Sequence, residues 1–213
     1  MNPNDEQKSA SLLAIAQEVS QCTRCPLHHS RKLAVPGEGP VTAEIMFIGE
    51  GPGFHENEQG RPFVGQAGKF LDELLAKIGL QRSQVFIGNV VKCRPPGNRD
   101  PEPGEIEACS DYLERQIQAI NPKVIVTLGR YSMARFLPNA KISAIHGQST
   151  MVKGRLVVAM YHPAAALHQQ SLKPVLEADF LRLPEMIAKI ARAQDTITPE
   201  PETPKDAKQL SLF

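Results

Sequence analysis

The sequence contains no tryptophan, and only 5% of its 213 residues are aromatic. Its amino terminus lacks a basic segment followed by an apolar run, and no apolar stretch approaches the roughly 20 residues of a membrane span. These absences argue against a secreted or membrane-spanning protein, so we expect a cytoplasmic one. The formal net charge of +1 leaves nucleic acid open as a partner, because DNA binding needs a local basic patch rather than a basic total.

Alternating strand and helix patterns organise the chain from residue 1 to about residue 193. Four short apolar runs predict buried strands at 44–49, 85–91, 124–128 and 157–161. Helices are predicted at 9–20, 66–78, 103–120, 131–137 and 174–193. Strands that alternate with helices favour a parallel sheet covered on both faces. We therefore predict one α/β domain, a three-layer α/β/α sandwich around a central, mostly parallel four-stranded sheet.

Polar side chains stand where three of the predicted strands end. Glu50 follows the first strand, Asn89 lies at the end of the second, and His162 follows the fourth. Ligands of such folds bind at the carboxyl ends of the strands. The three positions therefore predict an active site at that edge of the sheet.

The four cysteines are candidates for metal ligands. Cys22 and Cys25 form a CxxC motif, whereas Cys93 and Cys109 lie far downstream with 15 residues between them. Disulfides are uncommon in cytosolic proteins, so clustered cysteines there indicate metal or redox chemistry. Four thiolates hold either a tetrahedral zinc ion or an iron–sulfur cluster, and the spacing alone does not decide between them.

Four segments together resemble the family 4 uracil-DNA glycosylases, the iron–sulfur branch of the uracil-DNA glycosylase superfamily. These are GEGPGFHENEQGRPFVGQAG at 49–68, GNVVKCRPPGNRDP at 88–101, PKVIVTLG at 122–129 and YHPAA at 161–165. With the cysteine positions, the resemblance covers about residues 10 to 190. It implies that the four cysteines hold a [4Fe-4S] cluster. It also implies an enzyme that flips uracil out of DNA and excises it hydrolytically, the opening step of base excision repair.

The resemblance assigns the uracil pocket to five residues. Phe63 is similar to the family's stacking platform for the flipped base, and Asn89 to the amide that reads the Watson–Crick edge of uracil. His162 would donate a hydrogen bond to uracil O2 as negative charge builds there. The backbones of Glu50 and Gly51 are expected to approach the base.

The water-activating residue is the open assignment within this site. Many uracil glycosylases carry an aspartate where this sequence has Gly51, so the role is divided between two carboxylates of the same loop, Glu50 and Glu56. Either would act in its ionised form. A second departure is Asn57, where the family commonly has aspartate.

Contacts with DNA are predicted on both sides of the site. Lys92, Arg94 and Arg99 flank Cys93 and are expected to neutralise phosphates. Leu167 is similar in place to the apolar wedge that fills the gap left by a flipped base, although Ala166 replaces a bulkier residue beside it. A related branch traps DNA through a histidine in the loop after the second strand. Since no histidine lies between positions 92 and 109, an enzyme that turns over is favoured.

The end of the chain predicts a tether and a docking peptide. Residues 194–208 are rich in proline, threonine and acidic residues, which is typical of a disordered linker. The following QLSLF resembles the peptide by which bacterial repair proteins dock on the β sliding clamp, with Gln209, Leu210, Leu212 and Phe213 as its anchors. We expect a monomeric, nucleoid-associated bacterial protein. The alternative is a non-catalytic iron–sulfur or zinc protein that binds DNA and is recruited to the clamp.

Overall fold

The computed structural model describes residues 2–195, and side chains as far as residue 189. Its centre is a five-stranded sheet in the order β2-β1-β3-β5-β4, in which only β4 is antiparallel to its neighbour. The strands are β1 (Ile45–Gly49), β2 (Phe86–Asn89), β3 (Val124–Leu128), β4 (Gln148–Val152) and β5 (Arg155–Met160). The mostly parallel α/β sheet is confirmed.

The predicted number of four strands is wrong by one. The additional strand is β4, which pairs with β5 through a two-residue turn at Lys153 and Gly154 and forms an edge of the sheet. Its first four residues are exposed, and three of them are the polar Gln148, Ser149 and Thr150. A strand without an apolar run gives no burial signal in the sequence, which explains the omission.

Helices cover both faces of the sheet. They are α1 (Pro3–Gln21), α2 (Phe54–Gln59), α3 (Gln66–Lys77), α4 (Pro103–Ile120), α5 (Arg130–Ala134), α6 (Ile142–Ile145), α7 (Pro163–His168) and α8 (Leu172–Asp195). Along β1, Met46 and Ile48 pack towards α1 and α4, whereas Phe47 packs towards α3 and α8. This alternation, which follows from the two-residue period of a strand, produces the three predicted layers.

Local sequence accounts for the position of helix α3. The buried face of α3 consists of Phe70, Leu71, Leu74 and Leu75, which follow helical spacing. The turn after α3 contains Gly79 with a φ of +74°, a conformation that favours glycine. The described helices include none that is both long and apolar enough to cross a membrane.

The register of the sheet positions the strand ends. Gly49 pairs with Asn89 where β1 and β2 end, and Leu128 pairs with Met160 where β3 and β5 end. The loops that follow these strands therefore meet along one edge of the sheet, as expected for a ligand site in a parallel α/β fold.

Candidate active site and cysteine cavity

A cleft of about 270 Å³ opens at the carboxyl edge of the sheet. The predicted site residues that line it are Glu50, Gly51, Glu56, Phe63, Asn89, Arg99 and His162. The loops after β1, β2 and β5 thus bring together all five residues predicted to contact uracil.

Asn89 is the most unusual residue of the cleft. It is only 1% exposed, yet its side-chain Oδ1 has no hydrogen-bond partner. Buried polar atoms are almost always paired, because an unpaired one costs about 1–3 kcal/mol. An unpaired acceptor on the wall of a cleft is available to a hydrogen-bond donor of a bound molecule.

Glycines leave room for an aromatic wall opposite this amide. A Cβ at Gly49 would lie 2.5 Å from Asn89 Oδ1 and 2.6 Å from Phe63 Cζ, so a side chain there would collide with both groups. A Cβ at Gly68 would lie 1.8 Å from the Phe63 carbonyl oxygen. Phe63 itself has a φ of +52°, an uncommon conformation for a bulky residue, and such strain is often found at functional sites.

His162 is the N-cap residue of helix α7, and the hydrogen bond of this cap determines the tautomer of its ring. Its Nδ1 accepts a hydrogen bond of 3.1 Å from the Ala164 amide, so the proton of the neutral ring must be on Nε2. Burial lowers the pKa of His162 to about 4, which keeps the imidazole neutral at physiological pH. Its ring stacks on that of Phe63, with 5.5 Å between the ring centroids. The arrangement presents a neutral hydrogen-bond donor beside the aromatic wall.

The two candidate carboxylates have different surroundings. Glu56 Oε1 accepts from the amides of Val64 and Gly65, each at 2.9 Å, and its Oε2 accepts from the Gly53 amide at 3.1 Å. Glu56 therefore holds the loop that carries Phe63. No hydrogen bond within the described chain engages the Glu50 carboxylate, and its pKa is raised, chiefly by burial and secondarily by the negative charge of Asp100.

All four cysteines line a second cavity beside α4. The Cys93 sulfur lies 3.4 Å from Nη1 of Arg31, and the Cys109 sulfur accepts from the Lys92 amide at 3.3 Å. Burial raises the pKa of Cys109 to about 11, so a cation is needed to hold it as a thiolate. Four cysteines around one cavity, with hydrogen-bond donors beside two of the sulfurs, are the donor set that an iron–sulfur group requires. Over residues 2–195, however, no three His, Cys, Asp or Glu side chains are arranged to hold a metal ion.

Comparison with known proteins places the chain in a family. The profile of the uracil DNA glycosylase superfamily matches residues 36–183. The chain belongs to this superfamily. The matched span includes the entire carboxyl edge of the sheet and both downstream cysteines, whereas Cys22 and Cys25 precede it.

Curated relatives of this superfamily extend over most of the chain. A type-4 uracil-DNA glycosylase of Sulfurisphaera tokodaii is 50% identical over 186 residues, which cover 83% of this chain and 84% of the relative. A type-4 uracil-DNA glycosylase of Archaeoglobus fulgidus is 48% identical, with 84% of this chain and 94% of the relative covered. The type-4 uracil-DNA glycosylase of Thermotoga maritima is 44% identical over 74% of this chain and 83% of its own.

Within this superfamily member, the residues predicted to contact DNA occupy very different positions. Leu167 is 44% exposed on α7, as a wedge would need to be. Arg94 is half-buried over the ring of Phe54. Arg99 lines the cleft, but both of its terminal nitrogens donate to the Glu105 carboxylate, at 2.9 and 2.7 Å.

Lys92 requires a correction. It is only 1% exposed, and its ammonium donates to the Asn89 carbonyl and to Gln116 Oε1. A phosphate cannot reach it there, so the predicted phosphate contact is wrong for this residue. Hydrophobic residues at positions 90 and 91 precede it and are also buried, a sign in the sequence that the whole segment runs inwards.

Sequence reasoning also missed Arg31 and the pair of Arg130 with Asp100. The Arg31 guanidinium donates to the Ser20 carbonyl and also lies beside the Cys93 sulfur. It therefore links the end of α1 to a residue of the cysteine cavity. Arg130 forms an ion pair with Asp100 close to Glu50. These contacts join distant parts of the chain, and no local pattern reveals them. The predicted linker at 194–208 and the peptide at 209–213 lie outside the described residues, apart from positions 194 and 195 at the end of α8.

Proposed function

We propose that this protein excises uracil from DNA by hydrolysing the N-glycosidic bond of a flipped deoxyuridine, and so starts base excision repair. The observation that carries the proposal is the unpaired, buried Oδ1 of Asn89, which faces a cleft walled by Phe63 and His162. The names of the curated relatives support the same reaction. A reacting base must leave the duplex to enter such a cleft, at a cost of a few kcal/mol.

Asn89 would select the base by hydrogen bonding. Uracil N3–H is a donor and O4 is an acceptor, so the unpaired Oδ1 and the amide NH₂ of Asn89 match its edge. Cytosine offers the reverse pattern, with an acceptor at N3 and a donor at N4. A side chain held in one orientation would therefore bind uracil and reject cytosine.

His162 and Phe63 would stabilise the departing base. Cleavage leaves negative charge on uracil, and the Nε2–H of a neutral His162 would donate to O2 as that charge develops. The Phe63 ring would stack on the base, a contact worth about 1–3 kcal/mol. Both groups are fixed before substrate arrives, which limits the reorganisation needed during the reaction.

Glu50 is the better of the two candidates for orienting the attacking water. Three backbone amides occupy the Glu56 carboxylate, whereas the Glu50 carboxylate lines the cleft without a hydrogen-bond partner within the described chain. Ionised Glu50 would hold the water and stabilise the positive charge that builds on the sugar. Glu56 would act indirectly, by holding the Phe63 loop.

The four cysteines would hold a [4Fe-4S] cluster. A cluster is proposed rather than zinc because the chain resembles the iron–sulfur branch of the superfamily and its four cysteines line one cavity. When bound, the cluster supplies a fixed connection between α1, α4 and the loop after β2. Arg94 and Arg99 on that loop would face the DNA backbone, with Leu167 as the wedge.

The excision activity is tested with a uracil-containing oligonucleotide, followed by alkaline cleavage of abasic sites. We expect strand scission with the wild-type protein, and strongly reduced scission with Asn89→Ala and His162→Ala. No scission by the wild type, or equal scission by all three proteins, would refute the proposed site. Brown colour with broad visible absorbance, and iron rather than zinc by elemental analysis, tests the cluster.

For the carboxyl-terminal segment we retain the proposal of a flexible tether that ends in a β-clamp-binding peptide. Its support is the QLSLF sequence of residues 209–213 and the polar composition before it. Clamp binding would recruit a monomeric enzyme to replicating DNA in the nucleoid. Deletion of the last five residues should abolish clamp binding and preserve excision on short oligonucleotides; loss of both activities would refute this division.

A further inference from the structure

Lys92 lies between the cysteine cavity and the proposed uracil cleft. Its backbone amide donates to the Cys109 sulfur at 3.3 Å, and its ammonium donates to the Asn89 carbonyl at 2.9 Å. The ammonium also donates to Gln116 Oε1 at 2.7 Å. Within the described chain no carboxylate bonds to this buried cation. A buried charge without an opposite charge is costly, so its presence calls for a reason other than stability.

The Asn89 carbonyl needs a partner because of its position in the sheet. Strand β2 is an edge strand, and the carbonyls on its outer side have no neighbouring strand. Two residues earlier, on the same side, Ile87 exchanges hydrogen bonds of 2.8 and 2.9 Å with Glu38. This bridge does not extend to Asn89, and the Lys92 ammonium takes its place there.

The other end of this connection is helix α4. Cys109 and Gln116 are seven residues apart on α4, which is about two helical turns, so both face Lys92 from the same side. Gln116 is itself held, because its Nε2 donates to the Pro36 carbonyl at 2.7 Å. Lys92 is thereby attached at its backbone and at its side-chain tip to one face of α4.

We propose that Lys92 is a positioning residue that fixes the backbone of Asn89, so that the unpaired Oδ1 of Asn89 points into the cleft ready for a base. This inference rests on the proposed uracil excision and assigns to it a residue that contacts neither base nor phosphate. Loss of the ammonium frees the edge of β2 at its last residue. The amide of Asn89 then spends part of its time turned away from the base.

The test compares holoproteins that carry equal visible absorbance per chain. Lys92→Met keeps the length and apolar stem of the side chain and removes its charge and its donors. Lys8→Met is the matched control, because Lys8 also donates to a backbone carbonyl, that of Ile120, at the far end of α4. If Lys92→Met does not load its cluster, Lys92→Gln, an uncharged donor on a shorter stem, replaces it under the same criteria.

We expect Lys92→Met to lower kcat for uracil excision about 10- to 100-fold, the effect of losing a charge-assisted hydrogen bond. The variant should also bind free uracil more weakly in calorimetry. The KM for DNA and the affinity for an oligonucleotide with an abasic site should stay within about 2-fold of wild type, because Lys92 is buried. Lys8→Met should behave as wild type.

A double-mutant cycle separates positioning from a general structural effect. In the Asn89→Ala background, Lys92→Met should cost less than about 3-fold, because its target is already absent. The inference is overturned by an equal loss in both backgrounds, by wild-type kcat in Lys92→Met, or by failure of both Lys92 variants to load the cluster. A wild-type protein that excises no uracil would instead refute the proposed function itself.

Discussion

Asn89→Asp changes the proposed base-reading group without changing its shape. The carboxylate retains the acceptor position of Oδ1 and replaces the NH₂ donor by a second acceptor. Uracil O4 would then face an oxygen instead of a donor. Because residue 89 is 1% exposed, water cannot relieve this mismatch.

The size of the effect follows from these surroundings. Loss of one hydrogen bond to a base that becomes anionic costs about 1.5–3 kcal/mol, and an unsatisfied acceptor in a buried site adds about 1–3 kcal/mol. The sum corresponds to a loss of about 10²- to 10⁴-fold in the rate of uracil excision. In its protonated form the same side chain matches cytosine, so weak cytosine excision should appear.

The assay is single-turnover cleavage of two otherwise identical oligonucleotides, one with uracil and one with cytosine at the target position, followed by alkaline scission. Asn89→Ala serves as the control, since it removes both functions and should excise neither base well. Uracil excision by Asn89→Asp within 10-fold of wild type would refute the reasoning, because the NH₂ group would then have no part in selecting the base.

Three further predictions concern the same cleft. The excision rate should show no titration near pH 6.5, because the pKa of His162 is lowered to about 4. The rate should fall at acid pH as Glu50 becomes protonated. A change of rate near pH 6.5 that disappears in His162→Asn would contradict this prediction. Between about pH 4 and 6.5 the unfolded state binds more protons at His162, so its contribution to the free energy of unfolding rises with pH. Glu56→Gln should lower the free energy of unfolding, measured in urea, by about 1–3 kcal/mol, because the Gln NH₂ cannot accept from a backbone amide. Glu50→Gln should abolish excision with little loss of stability. The reverse result would exchange the roles of the two residues. Gly49→Ala should fold, as judged by circular dichroism, but excise uracil poorly, because its Cβ would lie 2.5 Å from Asn89 Oδ1; full activity would show that this space is not used.

The sequence predicted the edge of the sheet at which the cleft lies because strand ends leave a local signal. An apolar run followed by Glu50, Asn89 or His162 identifies both a strand and the direction of its end. The run of apolar residues in β1, β2, β3 and β5 likewise identified four of the five strands. Edge strand β4 had no such run, since its side chains face solvent.

Other features depend on contacts between distant residues. The burial of Lys92 is decided by Asn89, Cys109 and Gln116 together, so a basic residue next to a cysteine was interpreted as a phosphate contact. The different surroundings of Glu50 and Glu56 arise from the path of one loop backbone. Sequence can indicate that two carboxylates are present, but only the fold shows which one has its oxygens occupied.

The two cavities lie in different parts of the fold and have different proposed roles. The cysteine cavity is lined by residues of α1, α4 and the segment after β2, whereas the proposed uracil cleft lies at the strand ends. Lys92 connects the two without lining the cleft. A cluster in the first cavity would therefore act on excision through the geometry of β2 and its loop.

The most direct test of the central claim is the release of free uracil itself. The holoprotein is incubated with an oligonucleotide that contains one uracil, and both free uracil and abasic sites are quantified by mass spectrometry. We predict equal molar amounts of the two products, and none from the same oligonucleotide with thymine at that position. Absence of free uracil, or abasic sites formed equally from thymine, would contradict a uracil-specific glycosylase.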